Sequence, residues 1–104
     1  MSETTFQVSE TADSVKISIS GNKFKDFDVK RFRECFQERP EGTKYTLDFA
    51  NLRFADSSFL GGLLYLLAHN DSQNDPTLIE IINCSEQVKS SLDMIMFDKF
   101  FTFR

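Results

Sequence analysis

The sequence has few of the residues from which enzymatic and metal sites are built. Its 104 residues include one histidine, two cysteines, four glycines and no tryptophan. His69 cannot form a metal cluster by itself, and Cys35 and Cys84 are too far apart for a CxxC pair. The two glycines at 61 and 62 lie in a helical pattern rather than in a phosphate-binding loop. We therefore expect no enzyme activity, no metal site and no cofactor.

Several classes of partner are also disfavoured by charge and hydropathy. The net charge is −4 with both signs interspersed, whereas a nucleic-acid binder needs a clustered basic surface. No apolar run approaches the ~20 residues that span a bilayer, and the N-terminus lacks the features of a signal peptide. Unpaired thiols are typical of a reducing compartment. Cys35 and Cys84 are both expected to be small core residues. These features predict a cytoplasmic protein that contacts other proteins, with neither nucleic acid nor membrane as a partner.

The hydrophobic pattern predicts one α/β domain over residues 1–104. Apolar alternation or β-branched runs predict strands at residues 4–10, 14–20, 44–49, 77–82 and 100–103. Helical spacing between them predicts three helices, the first with Val29, Phe32, Cys35 and Phe36 inward, the third with Val88, Leu92, Ile95 and Met96 inward. This order predicts a mixed, mostly parallel sheet of about five strands, with helices on one side.

The junction between the third strand and the second helix is the most informative stretch. Asp56, Ser57 and Ser58 stand where this helix begins, and both residue types are good N-caps. Capping alone would explain them. A serine at this position is also exposed and able to take a phosphate, whose charge of about −1.5 to −2 is tolerated by the positive end of the helix dipole.

The second helix carries two apolar stripes. The first, Leu60, Leu63, Leu64 and Leu67, has the spacing of a core face. The second consists of Phe59, Gly62 and Leu66, beside the serine pair. A helix that buries a wide face would explain both stripes. The alternative, which gives the predicted partner-binding residues, is that Phe59, Gly62 and Leu66 form a docking surface.

Two stretches resemble the STAS domain of bacterial anti-sigma factor antagonists. In that family a strand and a short turn precede Asp-Ser-Ser/Thr-Gly-Leu-Gly at a helix start, and residues 47–49, Leu52 and 54–61 are similar. Residues 81–85, followed by Val88, Leu92, Phe97 and 100–103, form a second match. The expected fold is therefore the STAS fold without its C-terminal helix. This short form resembles proteobacterial members placed beside phosphorelay proteins that control motility, biofilm or exopolysaccharide.

The resemblance implies a phosphorylation-controlled partner switch that regulates transcription. Ser57 would be phosphorylated by a serine kinase with a histidine-kinase-like ATPase fold, often the anti-sigma factor itself, and a PP2C-type phosphatase would reverse this. The unmodified domain would bind that partner, and phosphorylation would release it. Asp56 would help the kinase place Ser57, and Ser58 would cap the helix or hydrogen-bond nearby. Phe59 departs from the family pattern, which has glycine there.

A second reading involves no phosphate. Small STAS proteins similar to this one also serve as cytoplasmic subunits of ABC-type lipid transport complexes. In that case the helix face beside the serines would dock a transport ATPase constitutively.

Overall fold

The computed structural model describes residues 4–21, 26–53 and 55–104, without the side chains of residues 26 and 27. Phe54 of the motif and part of the predicted loop before the first helix lie outside these residues. The elements in chain order are β1 (Thr5–Glu10), β2 (Val15–Gly21), α1 (Asp26–Glu34), β3 (Tyr45–Leu52), α2 (Ser57–Asn70), β4 (Ile79–Ile82), α3 (Glu86–Met94), a 3₁₀ turn (Asp98–Phe100) and β5 (Thr102–Phe103).

The five strands form one sheet in the order β1-β2-β3-β4-β5. The pair β1–β2 is an antiparallel hairpin in which Phe6 lies opposite Ile19. The pairs β2–β3, β3–β4 and β4–β5 are parallel. The predicted mixed, mostly parallel α/β sheet is confirmed. Because β2 to β5 run in the same direction, their carboxyl ends share one edge of the sheet and their amino ends share the other.

The core lies on one face of this sheet. Val15, Ile17 and Ile19 of β2 are buried, as are alternate residues of β3 and β4, whereas Lys16 and Glu80 on the other face are not. This period-two alternation is the pattern of a sheet covered on one side only. The helices supply the cover, with Phe32 and Phe36 of the α1 region and Val88 and Leu92 of α3 all buried.

The end of α3 differs from the prediction. Ile95 and Met96 were expected to point inward, but they are 43% and 64% exposed. The helix ends at Met94, and Met96 takes a left-handed conformation with φ 62°. The amide of Phe97 then donates to the carbonyl of Leu92 at 2.9 Å. This is the hydrogen bond of a Schellman-type helix end, so the chain reverses before Ile95 and Met96 reach the core.

The two thiols are free and pack at the border of the core. Cys35 and Cys84 are half-buried against the core cluster, so the core position expected for them is only partly reached. Burial raises the pKa of both thiols, and the neighbouring cations offset this only in part. Both therefore stay protonated at neutral pH and are poor nucleophiles.

Asp48 organises the open face of the sheet. Its Oδ1 accepts hydrogen bonds from the amide of Ala50 at 2.9 Å and from Nδ2 of Asn83 at 3.1 Å. Its Oδ2 lies 3.7 Å from Nζ of Lys16. Burial alone would raise the pKa of Asp48, but the bonds from Asn83 and Ala50 and the charge of Lys16 outweigh it, so the pKa is lowered. Asp48 thus ties three neighbouring strands together in its ionised form.

This arrangement predicts a pH dependence of stability. A carboxyl with a lowered pKa in the folded state stabilises the fold above its unfolded pKa of about 3.9, and this contribution is lost as the pH falls through the folded value. Asp48→Asn should cost about 1–2 kcal/mol in the free energy of unfolding at pH 7. Urea unfolding at pH 7 and pH 3 should show a smaller acid-induced loss in the variant. An equal loss in both proteins would contradict this role for Asp48.

Candidate phosphorylation site and partner surface

Asp56 immediately precedes α2. Its backbone is extended, with φ −96° and ψ −179°, and its Oδ1 accepts a hydrogen bond from the amide of Phe59 at 2.9 Å. Its carbonyl accepts the amide of Leu60 at 3.0 Å. These bonds define an N-cap, so the cap is Asp56; of the two roles expected for Ser58, capping the helix is excluded. Ser58 lies half-buried in the first turn.

Ser57 follows the cap as the first residue of α2, and its side chain is exposed. Among the described residues, its hydroxyl has no hydrogen-bond partner. The first turn of α2 contains no acidic residue, and the positive end of the helix dipole lies at this point. The hydroxyl is therefore reachable from solvent at the positive end of the helix dipole, beside the carboxylate of Asp56.

One face of α2 lies in the core. Phe59, Leu63, Leu66 and Leu67 are fully buried and Gly62 is also buried, while the Phe59 ring lies edge-on to Phe49 with centroids 5.5 Å apart. The prediction of a docking surface made of Phe59, Gly62 and Leu66 was therefore wrong. With Asp56 as the cap, Phe59 is the third helical residue and faces the sheet. The alternative, that the helix buries a wide face, is the correct one for these three residues.

The exposed face of α2 is made of different residues. Leu64 and Tyr65 are 53% and 48% exposed, so Leu64 does not belong to the core face predicted for it. Gly61 is open to solvent, with no atom within 4 Å of the place where a Cβ would stand. Residues three or four positions apart share a helix face, so these residues lie on the same face as Ser57, towards the carboxyl end of α2. We call this surface the α2 ridge, defined by Ser57, Gly61, Leu64, Tyr65 and Ala68.

Helix α1 gives the α2 ridge a basic border. The guanidinium of Arg33 lies over the ring of Tyr65, 4.4 Å from its centroid. Lys30 is exposed one turn before Arg33, and a shallow groove is lined by Lys30, Arg33, Glu34 and Gln37. A cation over an aromatic face attracts the ring by about 0.5–1 kcal/mol at an exposed site, so Arg33 favours this position of Tyr65.

The other polar residues predicted or noted around α2 have structural roles. Nε2 of His69 lies 2.8 Å from the carbonyl oxygen of Arg39, and its ring contacts Phe36 at 5.6 Å between centroids.

Within residues 4–21, 26–53 and 55–104, no group of His, Cys, Asp and Glu side chains could hold a metal ion. The helices in those same ranges include none long and apolar enough to cross a membrane.

Comparison with known proteins identifies the fold. No family model and no curated protein matches this sequence. Among solved structures, an anti-sigma factor antagonist from Mycobacterium paratuberculosis has a TM-score of 0.72 at 14% identity, over 97% of this chain and 85% of that one. A putative anti-sigma factor antagonist from Thermotoga maritima has a TM-score of 0.69 at 16% identity, over 94% and 84%. The chain thus has the STAS fold of anti-sigma factor antagonists, as its sequence predicts.

The two faces of α2 should respond very differently to truncation. Phe59→Ala removes a fully buried ring and should cost about 3–5 kcal/mol in the free energy of unfolding. Leu64→Ala removes an exposed side chain and should change stability by about 0.5 kcal/mol or less. Urea unfolding of both variants tests this. A comparable loss for Leu64→Ala would mean that Leu64 belongs to the core after all.

Proposed function

We propose that this chain is an anti-sigma factor antagonist, a binding protein rather than an enzyme, whose association with its partner is controlled at Ser57. The partner is an anti-sigma factor that is also a serine kinase with a histidine-kinase-like ATPase fold, and a PP2C-type phosphatase reverses its action. One observation carries the proposal: the exposed Ser57 hydroxyl stands at the amino end of α2, at the head of an exposed apolar ridge. Binding of the partner to the unmodified chain regulates transcription indirectly.

The position of Ser57 explains how one phosphate would control binding. Leu64 and Tyr65 offer apolar area that a partner buries, and Ser57 lies on the same helix face. A phosphate there places up to two negative charges at the border of that interface, where desolvation and repulsion oppose binding unless the partner supplies a cation. A loss of ~3–4 kcal/mol weakens binding a few hundredfold, since 1.4 kcal/mol is tenfold.

The substitution of Phe59 for the family's glycine is compatible with this function. The Phe59 side chain points into the core, against Phe49, rather than over Ser57. It therefore leaves the approach of a kinase to the hydroxyl open and instead anchors the first turn that carries Ser57.

Variants of Ser57 test the switch. Ser57→Asp, which carries a negative charge at the phosphorylation position, should weaken binding to the cognate kinase a few hundredfold, while Ser57→Ala should bind like the unmodified chain. Calorimetry gives the affinities, and intact mass after incubation with kinase and ATP gives the phosphate. Ser58→Ala is the matched control and should still accept one phosphate. Equal affinity of the two Ser57 variants would refute the proposal.

Asp56 is proposed to help the kinase place Ser57, in addition to capping the helix. Asparagine caps a helix about as well as aspartate, so Asp56→Asn should keep the fold while removing the charge. The rate of Ser57 phosphorylation should fall ~10-fold or more, whereas the melting temperature should change little. An unchanged rate in a folded Asp56→Asn chain would leave Asp56 with the capping role alone.

The α2 ridge also supports a second candidate function, a constitutive subunit of an ABC-type lipid transport complex. The observation in its favour is that Leu64 and Tyr65 are exposed without any modification, so the ridge is already available for docking. In that case a transport ATPase would bind Ser57→Asp and Ser57→Ala with similar affinity, and the kinase assay would show no phosphate.

A further inference from the structure

A second exposed apolar surface lies where α3 ends. Met94, Ile95 and Met96 are consecutive and are 84%, 43% and 64% exposed. Half of the large hydrophobic side chains exposed in the described residues belong to this tripeptide, which we call the Met94–Met96 patch. Core formation does not explain it, because α3 buries Val88 and Leu92 instead.

The backbone holds this patch outward. Met96 occupies the left-handed position after the helix, φ 62°, where glycine is the favoured residue. A methionine there gains no core contact and is 64% exposed. The conformation therefore displays a large, flexible apolar side chain at a position where glycine would suit the turn better.

The patch and Ser57 lie at opposite edges of the sheet. Helix α2 starts after the carboxyl end of β3, whereas α3 ends before the amino end of β5. Oγ1 of Thr102 donates to the carbonyl oxygen of Pro76 at 2.8 Å, which joins the segment after the patch to the α2–β4 loop. The patch therefore belongs to the edge formed by the amino ends of the parallel strands.

This edge carries the negative charge of the chain. Its four loop segments, residues 10–14, 35–44, 71–78 and 93–101, have a net charge of −5, against −4 for the whole chain. The two segments that lead into β4 and β5, next to the patch, contain four acidic residues and one basic residue, a net charge of −3. Arg39 is paired with Glu10, and Lys89 of α3 pairs with Asp93 at 3.3 Å. The acidic residues are Glu10, Asp13, Glu38, Glu41, Asp71, Asp75, Asp93 and Asp98.

We propose that the Met94–Met96 patch docks a basic amphipathic helix of a second protein partner. Exposed methionines adapt to apolar side chains of varied shape, and amphipathic helices bind by laying their apolar face on such a surface. The acidic edge complements lysines and arginines on the sides of that helix. Because the patch is remote from Ser57, this partner binds whatever the phosphorylation state.

The charge also decides against two other occupants. A second copy of this chain would bring two acidic edges together, which opposes association. An anionic membrane surface repels the same carboxylates. A short basic helix satisfies both the small apolar area and the sign of the charge.

The experiment uses a synthetic 18-residue helix of leucine and lysine, with leucines at i, i+3, i+4 and i+7, titrated into the ¹⁵N-labelled full chain. Amide shifts should be largest at residues 93–99 and 71–76, and Ser57→Asp should not change the affinity. Met94→Gln with Met96→Gly should weaken binding ~10-fold or more, because glycine keeps the turn while the apolar side chains are lost. Val8→Gln, at an exposed apolar residue of β1 outside both surfaces, is the matched control and should bind like the unmodified chain.

Several results would overturn the proposal: shifts centred on α2 or on the open sheet face, equal affinity of the Met94→Gln/Met96→Gly variant, or no saturable binding. Equal binding of a leucine–glutamate helix would remove the charge argument. Concentration-dependent dimers in sedimentation would assign the patch to a second copy if the Met94→Gln/Met96→Gly variant abolished them. Co-sedimentation with phosphatidylserine vesicles that the same variant abolished would assign the patch to a membrane. Because none of these measurements involves the kinase, they are independent of the role proposed for Ser57.

Discussion

The hydrogen bond from the amide of Phe59 to Oδ1 of Asp56 sets the geometry on which the candidate site depends. It fixes the residue at which α2 starts, and each residue along an α-helix turns the side chain by about 100°. With this start, Phe59 points into the core and Ser57 points to solvent. Phe59 shares its buried face with Leu63, Leu66 and Leu67, so the packing of α2 on the sheet and the cap at Asp56 together fix the first turn.

The sequence predicts the sheet well because its signal is local and direct. Val15, Ile17 and Ile19 alternate with polar residues, and the structure buries those three. The parallel pairing follows from the helices between the strands. The predicted position of Ser57 at the amino end of a helix follows from the same pattern, since a helix start after a strand needs a capping residue.

The faces of α2 and the end of α3 are not predictable in the same way. Helix α2 has apolar residues on nearly every side, so periodicity alone does not distinguish Phe59 and Leu66, which are buried, from Leu64, which is exposed. The side of α2 that packs against the sheet decides this, and that packing depends on tertiary contacts that the periodicity of the sequence does not record. The exposure of Met96 is not predicted by the sequence, because its left-handed conformation depends on how the chain leaves the helix. The pattern of apolar residues does not record that.

The same sheet separates two surfaces of different chemistry. The carboxyl edge of the parallel strands leads into α2, with its exposed hydroxyl, apolar ridge and basic border of Lys30 and Arg33. The amino edge has a net charge of −5 and the Met94–Met96 patch. Because the two surfaces share no residue, a change at Ser57 alters one of them and leaves the other intact.

Phosphate on Ser57 is proposed to change the surface of a helix that stays formed. Amide hydrogen exchange of the chain with phosphoserine incorporated at position 57, compared with the unmodified chain and without any partner, tests it most directly. We expect equal protection of the α2 amides from Phe59 to Asn70 in the two chains. Loss of protection through α2 in the phosphorylated chain would contradict it, because the modification would then act by unfolding the helix.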